Sequence, residues 1–340
     1  MRRLIVILMG LLLAVPLTAQ NKAILIGVSD YPKESGWCKL SSHNDVKLLN
    51  GLLSPTWDVL VVEDTQATHD GIVSAFSRIV KKVTPGDTVL IHFSGHGQQM
   101  IPLEKDTIYD PDLLDESIVP YDANKDWHRD YIGQNHIRDN ELGALIDNVR
   151  DKAGVSGLVV VILDACHSDS MQRDSESESD TTLILRGTTD IFGDPKSITP
   201  EIEKNRFKRD TTKIVVSNNA HVVYISACQS NSRNAEIITS DGVGYGSLSF
   251  AVAGALADVG LRDLHAFLDS VMLKMNTLVR YQNPGVRASF VYTRPEVSHP
   301  EPPSIKGNGE PYSHSNIGLI LLALAALIVI VIVIWRMKKT

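Results

Sequence analysis

Two apolar runs, each followed at once by polar residues of unusual type, constrain the fold of this chain most strongly. Residues 88–93 (TVLIHF) lead into SGHG at 94–97, and residues 158–163 (LVVVIL) lead into DACHS at 164–168. Both runs are almost continuously apolar, without the alternation of a half-exposed strand, which predicts two buried strands of a parallel sheet. A helical pattern over 137–152 separates them, so we expect the two strands to be neighbours in one right-handed βαβ unit.

Strand-like and helix-like segments alternate along the rest of the chain. This alternation predicts a doubly wound α/β fold of three layers, with helices on both sides of a mainly parallel sheet. Residues 169–213 have poor periodicity and predict a flexible insert. Further strands are predicted at 22–28, 59–62, 117–120, 222–227 and 288–292, and helices at 45–53, 69–83, 247–257 and 261–281.

The two ends of the 340-residue chain differ in composition from the part between them. Residues 1–19 combine Arg2 and Arg3 with an apolar run, which is typical of a secretory signal peptide. An unbroken apolar run at 317–334, followed by Trp335 and basic residues, predicts a transmembrane helix over 316–336 and a cytoplasmic tail at 337–340. Residues 294–315 are rich in Pro, Gly and Ser and predict a tether. We therefore expect a single-pass membrane protein whose folded domain, 20–293, lies on the extracytoplasmic side.

Charge and cysteine usage narrow the function classes. The net charge is −7 and no long basic stripe is present, which argues against a nucleic-acid partner. The three cysteines are Cys38, Cys166 and Cys228. An odd number in an exported domain leaves at least one thiol outside any disulfide, which favours a reactive cysteine over a disulfide framework.

The two polar segments predict nucleophilic catalysis. Neighbouring parallel strands end at the same edge of a sheet, so His96 and Cys166 should emerge together there. Cys166 would be the nucleophile, its thiolate favoured by a neighbouring imidazolium, and His96 would accept and return the proton. The backbone N–H groups of Gly97 and Cys166 are expected to hold an oxyanion.

The carboxylate of Asp164 is unfavourable for a thiolate at Cys166. It lies two residues before Cys166 and should project in the same direction. A carboxylate about 4 Å from a thiolate costs on the order of 4 kcal/mol at an effective dielectric near 20. The sequence would tolerate that cost if the carboxylate had another use, such as pairing with the guanidinium of a substrate arginine.

The motifs SGHG and DACHS together resemble the catalytic signature of the metacaspases and caspase-like cysteine peptidases. The resemblance extends over about residues 22–292 through the segments 23–31, 44–45, 115–122, 226–228, 235–236 and 282–284. It implies a three-layer caspase-like fold and a His96/Cys166 dyad. It also implies a pocket for the residue before the cut bond, built from Asp45, Ser94 and Asp164. Two acids in that pocket imply specificity for arginine or lysine.

The resemblance also raises calcium as a candidate cofactor. Many members of the family hold this ion with acidic residues, and the matching positions are Asp115 and Asp139, with Asp174 as a further candidate. Asn140 stands where a further acid is usual, and fewer carboxylates weaken a calcium site. The chain departs from the family pattern at two more positions, where Ser42 replaces a cysteine and Asp169 replaces a glycine.

The leading hypothesis is therefore an exported, membrane-anchored cysteine endopeptidase that cleaves protein or peptide substrates after Arg or Lys. The segment 169–213 offers basic residues for self-processing, namely Arg206, Lys208 and Arg209. Two alternatives stay open at this point. One is a catalytically silent caspase-like module that binds a partner at the cell envelope, and the other is a transpeptidase-like maturation enzyme on a related fold.

Overall fold

The computed structural model describes residues 21–102, 114–166, 184–205, 219–228, 234–279, 282 and 284–293. The predicted signal peptide, tether, transmembrane helix and tail lie outside these residues. Within the described ranges, no helix is both long and apolar enough to span a bilayer. The described residues fall into two compact units, of which the second is the turn Thr239–Val243, closed by a 2.9 Å hydrogen bond from Thr239 N to Val243 O.

The first unit alternates strands and helices, as the sequence predicts. Its strands are β1 (Asn21–Gly27), β2 (Asp58–Glu63), β3 (Thr88–Ser94), β4 (Gly97–Met100), β5 (Asp115–Ile118), β6 (Ile137–Arg138), β7 (Leu158–Asp164), β8 (His221–Ser226), β9 (Glu236–Ile238), β10 (Gly244–Gly246) and β11 (Gly285–Ala288). Its helices are α1 (Ser42–Leu53), α2 (His69–Val80), α3 (Asp139–Ala153), α4 (Pro200–Asn205), α5 (Ser247–Asp258) and α6 (Leu264–Leu278).

A six-stranded sheet in the order β11-β8-β7-β3-β1-β2 forms the middle layer. Its strands are parallel except β11, which runs antiparallel to β8 at the edge. Strands β3 and β7 are direct neighbours, and their register pairs Ser94 with Asp164. The two strands predicted to carry the site therefore end at the same level of the sheet.

Apolar side chains cover both faces of this sheet, which explains why the strand sequences lack alternation. Successive residues of a strand point to opposite faces. Ile24 and Ile91 belong to the cluster that includes residues of α2 and α3, whereas Leu25 and Leu90 belong to the cluster that includes residues of α1, α5 and α6. The predicted α/β fold, with a mainly parallel central sheet between helices, is confirmed.

The final strand and the final helix differ from their predicted positions. The strand predicted at 288–292 lies at Gly285–Ala288. At the next position Ser289 N still donates to Val222 O at 2.9 Å, but Val222 N donates to the hydroxyl of Ser289 at 3.0 Å. The helix predicted at 261–281 begins at Leu264, where the Asp263 carboxylate accepts from Ala266 N at 3.0 Å, and ends at Leu278.

The described part of the predicted flexible insert, 184–205, belongs to the first unit. Phe192 is buried in a small cluster with Met100 and Tyr131. Its backbone N–H donates to Gln99 O at 2.8 Å, and its carbonyl accepts from Ile101 N at the same distance. This part of the chain differs from the expectation because backbone hydrogen bonds hold it, and such bonds leave no periodic pattern in the sequence. The three-stranded sheet that receives it has the order β4-β5-β6.

Candidate active site

His96 and Cys166 follow directly after β3 and β7 and are both buried, with 1% and 2% of their surface exposed. The strand ends are tied together by a 3.3 Å hydrogen bond from Gly95 N to Asp164 O. The predicted histidine and cysteine are thus brought to one edge of the sheet, as expected of ligand and catalytic residues in open α/β folds.

The His96 imidazole packs against two aromatic rings that also contact each other. It stacks on Trp37 at a centroid distance of 4.7 Å, and Tyr31 lies tilted at 5.1 Å. The Tyr31 hydroxyl accepts from His96 N at 3.0 Å and donates to Val119 O at 2.9 Å. These contacts fix both the backbone and the ring of the histidine.

The hydrogen bonds of His96 define its tautomer. Its Nε2 lies 3.0 Å from the carbonyl oxygen of Cys38, which only accepts, so Nε2 carries the proton. Its Nδ1 is buried and has no hydrogen-bond partner among the described residues. Burial lowers the pKa of His96 to about 3, although the bond to Cys38 acts in the opposite direction. The ring is therefore neutral near pH 7, with a lone pair on Nδ1, instead of the expected imidazolium.

A fully buried arginine, Arg186, occupies the predicted pocket beside these residues. Its Nη2 lies 2.9 Å from Asp45 Oδ2 and 2.9 Å from Glu236 Oε1. Its Nη1 donates to Ser94 Oγ at 2.5 Å and lies 3.9 Å from Asp164 Oδ1. The three predicted pocket residues thus converge on one guanidinium. Burial alone would lower the pKa of Arg186, but the carboxylates around it raise it.

Glu236 is a pocket residue that the sequence reasoning missed. The family-like stretch at 235–236 was the only signal for it, and that stretch assigned it no role. Its Oε1 accepts from Ser41 N at 2.6 Å and its Oε2 accepts from Ser41 Oγ at 2.9 Å. These two bonds orient the carboxylate so that Oε1 also faces Arg186.

Asp45 lies in the first turn of α1 and is fully buried. Its Oδ1 accepts from Gly246 N at 2.9 Å, and its Oδ2 accepts from Ser94 Oγ at 2.7 Å. Burial raises the pKa of Asp45 to about 7, Arg186 works against that rise, and the charge of Asp164 adds to it. This carboxyl therefore changes its charge near neutral pH.

Asp164 is held in its ionised form by three donors. Asn234 Nδ2 donates to its Oδ1 at 2.8 Å, and the backbone N–H and hydroxyl of Ser249 both donate to its Oδ2 at 2.7 Å. Burial alone would raise the pKa of Asp164, but Arg186 and these hydrogen bonds keep it below its ordinary value. His92 Nε2 lies 2.8 Å from Ser249 Oγ and extends the network below the pocket.

Gly246 leaves the space in which the guanidinium lies. A Cβ at this position would stand 2.1 Å from Asp164 Oδ2 and 2.7 Å from Arg186 Cζ, far inside van der Waals contact. Any side chain here would fill the pocket, so the pocket depends on glycine at the end of β10.

The predicted oxyanion donors lie against the backbone of Arg186 and Gly187. Cys166 N donates to Arg186 O at 2.8 Å. Gly97 forms an isolated parallel bridge with Gly187. A peptide carbonyl is therefore already held at the backbone N–H of the cysteine.

Cys228 is a further residue that sequence reasoning did not place at the site. Its thiol donates to Cys166 Sγ at a sulfur–sulfur distance of 2.7 Å. That hydrogen bond, together with burial, raises the pKa of Cys228 well above its ordinary value. Cys228 therefore keeps its proton, and its thiol lies against the sulfur of Cys166 just after the end of β8.

Of the candidates for calcium, Asp115 and Asp139 lie in the described part of the chain, and Asp174 lies outside it. Arg138 Nη1 lies 2.5 Å from Asp115 Oδ2 and already neutralises that carboxylate. Asp139 Oδ1 accepts from Asn140 N at 2.8 Å at the start of α3. Within the described part of the chain, no group of three or more His, Cys, Asp or Glu side chains is arranged to hold a metal ion.

The fold and this edge of the sheet define an α/β protein with a buried thiol, a neutral imidazole and an acidic pocket, which is the class of the caspase-like peptidases. A family model described as "Caspase domain" (Peptidase_C14) matches residues 20–293. The chain therefore belongs to the caspase-domain family of cysteine peptidases, and the resemblance drawn from the sequence is confirmed.

Curated relatives include "Metacaspase III c" of Phaeodactylum tricornutum, 29% identical over 45% of this chain and 44% of its own length. "Metacaspase-1" of Coccidioides immitis is 32% identical over 45% of this chain and 32% of its own length. The aligned region thus spans less than half of these relatives. The crystal structure of protein GSU0716 from Geobacter sulfurreducens shares the fold, with a TM-score of 0.54 and 20% identity over 81% of this chain and 98% of that one.

Proposed function

We propose that the chain is a cysteine endopeptidase that cleaves after arginine or lysine, with Cys166 as nucleophile and His96 as base. One observation carries this proposal. A guanidinium fits among Asp45, Ser94, Asp164 and Glu236, next to the thiol. Protein and peptide substrates with a basic residue before the cut bond would place their side chain in the same position.

The proposed reaction uses the groups in the positions described above. Nδ1 of His96 takes the proton of the Cys166 thiol, and the sulfur attacks the substrate carbonyl carbon. The N–H groups of Cys166 and Gly97 hold the resulting oxyanion, where loss of one such donor costs roughly 2.7–4 kcal/mol. His96 then gives the proton to the leaving amine. Water cleaves the thioester, which releases the new carboxylate and restores the thiol.

The low pKa of His96 keeps its ring neutral before the reaction, while the burial that lowers this pKa opposes formation of the imidazolium. The imidazolium forms only when the thiol proton is transferred, and Nε2 keeps its bond to the Cys38 carbonyl throughout. That carbonyl would orient the ring and stabilise its charged form without itself exchanging a proton.

Arginine should be preferred over lysine in this pocket. Both Nη atoms of a guanidinium find partners there, because Nη1 contacts Ser94 and Nη2 contacts Asp45 and Glu236. An ammonium presents a single charged nitrogen and reaches fewer of these oxygens at once.

We further propose that the domain acts on the extracytoplasmic side of a membrane, anchored by the helix predicted at 316–336, and that it processes itself. Support for the anchor comes from the apolar run and its basic flank in the sequence. This location is tested by adding a protease to the extracytoplasmic side of membranes that hold the intact chain. The domain should be accessible to that protease.

The activity is tested with fluorogenic peptides that place Arg, Lys, citrulline or Asp before the cut bond. Wild type, Cys166→Ala and His96→Ala are compared, with calcium and with a chelator. We expect Cys166-dependent turnover of the Arg and Lys peptides and little turnover of the citrulline and Asp peptides. Turnover of the Asp peptide in place of the Arg peptide would contradict the pocket. Absence of any Cys166-dependent turnover would favour the silent binding module.

A further inference from the structure

The chain segment that carries Arg186 lies in the cleft as an added β-strand. Leu185 forms an antiparallel bridge with Ala235. Glu236 N donates to Ile184 O at 3.0 Å, and Arg186 N donates to Asn234 O at 2.9 Å. Alternating backbone bonds of this kind are how an extended peptide pairs with the edge of a sheet.

The added strand places one particular peptide bond beside the catalytic groups. The carbonyl of Arg186 is the one that accepts from Cys166 N. The next residue, Gly187, is the bridge partner of Gly97. The peptide bond between Arg186 and Gly187 therefore lies at the donors proposed to hold the oxyanion.

Only glycine fits after the arginine. A Cβ on Gly187 would stand 2.2 Å from the carbonyl oxygen and 3.2 Å from the Cβ of Cys166. The backbone of the segment thus touches the proposed nucleophile directly, and the approach depends on the missing side chain.

Side chain, N–H and carbonyl of Arg186 each make the contact that a peptidase needs from the residue before the cut bond. The side chain fills the acidic pocket, the N–H pairs with the neighbouring strand, and the carbonyl meets the cysteine N–H. A buried arginine with a purely structural role would need only the first of these.

We propose that residues 184–187 are a built-in substrate that closes the site and is cut at the Arg186–Gly187 bond. This inference rests on the proposed function. Cys166 sulfur bonds to the carbonyl carbon of Arg186, the bond to Gly187 nitrogen breaks, and His96 passes the thiol proton to that nitrogen. Water then hydrolyses the thioester and leaves a carboxylate on Arg186. The cut lies upstream of Arg206, Lys208 and Arg209, which are outside the described residues.

While residues 184–187 stay in place, they occupy both the acidic pocket and the strand edge at 234–236, so an external substrate cannot bind. Release of the segment after the cut makes the pocket and the edge accessible together. The enzyme should therefore show a lag with external peptides, and the lag should shorten as the cut proceeds.

The cut is tested by incubating purified full-length wild type and sequencing the new N-termini. We expect an N-terminus that begins Gly187-Thr188-Thr189, and no such fragment from Cys166→Ala. Cleavage confined to other bonds, with Arg186–Gly187 intact, would overturn the inference. Turnover of an external Ile-Leu-Arg peptide in the same sample separates this failure from a failure of the proposed function.

Substitution of Arg186 is a poor probe, because it leaves buried carboxylates without their counter-charge. Gly187→Ala tests the seating of the segment instead, with Gly143→Ala as the matched control. An added Cβ at Gly143 has no neighbour within 4 Å, whereas at Gly187 it meets Cys166. We expect Gly187→Ala to slow self-cleavage at least about tenfold and to abolish the lag with the external peptide. Self-cleavage and lag equal to those of the control would overturn the inference.

Discussion

The titration of Asp45 gives the most quantitative test of the pocket. Burial raises its pKa to about 7 even though a guanidinium lies against it. Without the guanidinium this pKa is higher still, because Arg186 lowers it. Binding of an arginine side chain therefore releases a proton at any pH between the two values.

The sign of the effect follows from that release. Below about pH 7 Asp45 is protonated with or without a bound arginine, so the affinity is insensitive to pH. Above about pH 7, KM for an Arg peptide should fall as the pH rises, by up to about tenfold per pH unit. The fall should stop at the pH where Asp45 is ionised in the empty pocket as well.

The assay measures KM and kcat separately between about pH 6 and 9, together with the inhibition constant of Ile-Leu-Arg amide. Asp45→Asn has no titrating group at position 45, so its KM for the Arg peptide should lack this slope over the same range. A citrulline peptide, which is neutral, should show no such slope with wild type. If KM of wild type and Asp45→Asn follow the same pH profile, the reasoning is refuted.

Three further predictions concern the pocket, the core and the thiol pair. Gly246→Ala should lower kcat/KM for Arg peptides by about 100-fold or more while alkylation of Cys166 persists, since the methyl group takes the space of the guanidinium; unchanged kinetics would contradict this. Lys22→Met should lower the free energy of unfolding in urea by about 3–5 kcal/mol, since Asp87 stays buried with the hydrogen bonds from Thr84 but without its counter-charge at 2.5 Å; a loss below about 1 kcal/mol would contradict it. Hydrogen peroxide should inactivate mature wild type reversibly, because Cys228 captures the sulfenic acid of Cys166 as a disulfide and water leaves. In Cys228→Ser, excess peroxide should carry the sulfenic acid of Cys166 on to the sulfinic acid, which dithiothreitol does not reduce. Equal recovery of both enzymes would argue against the capture.

The sheet edge that carries His96 and Cys166 could be predicted from the sequence because it depends on local order. Two continuous apolar runs indicate buried parallel strands, and a helix between them makes those strands neighbours. The pairing of Ser94 with Asp164 follows from that arrangement. The position of side chains that closely follow such strands can therefore be predicted from the amino-acid sequence alone.

Arg186 and Glu236 could not be assigned in the same way. Their contact joins residues 50 positions apart, and Arg186 reaches Asp45 across 141 positions. The segment around Arg186 has no hydrophobic period, because an added strand is held through its backbone. Apolar periodicity therefore predicts a flexible insert where an ordered segment lies in the cleft.

The strand edge formed by residues 234–236 affects the tendency of the protein to aggregate. In the structure its backbone groups are paired with 184–186. An exposed strand edge is a template on which other chains can polymerise, and proteins commonly cover such edges. The resident segment therefore also covers this edge, and we expect edge-to-edge aggregation to be open only to molecules that have been cut as proposed and have released the segment.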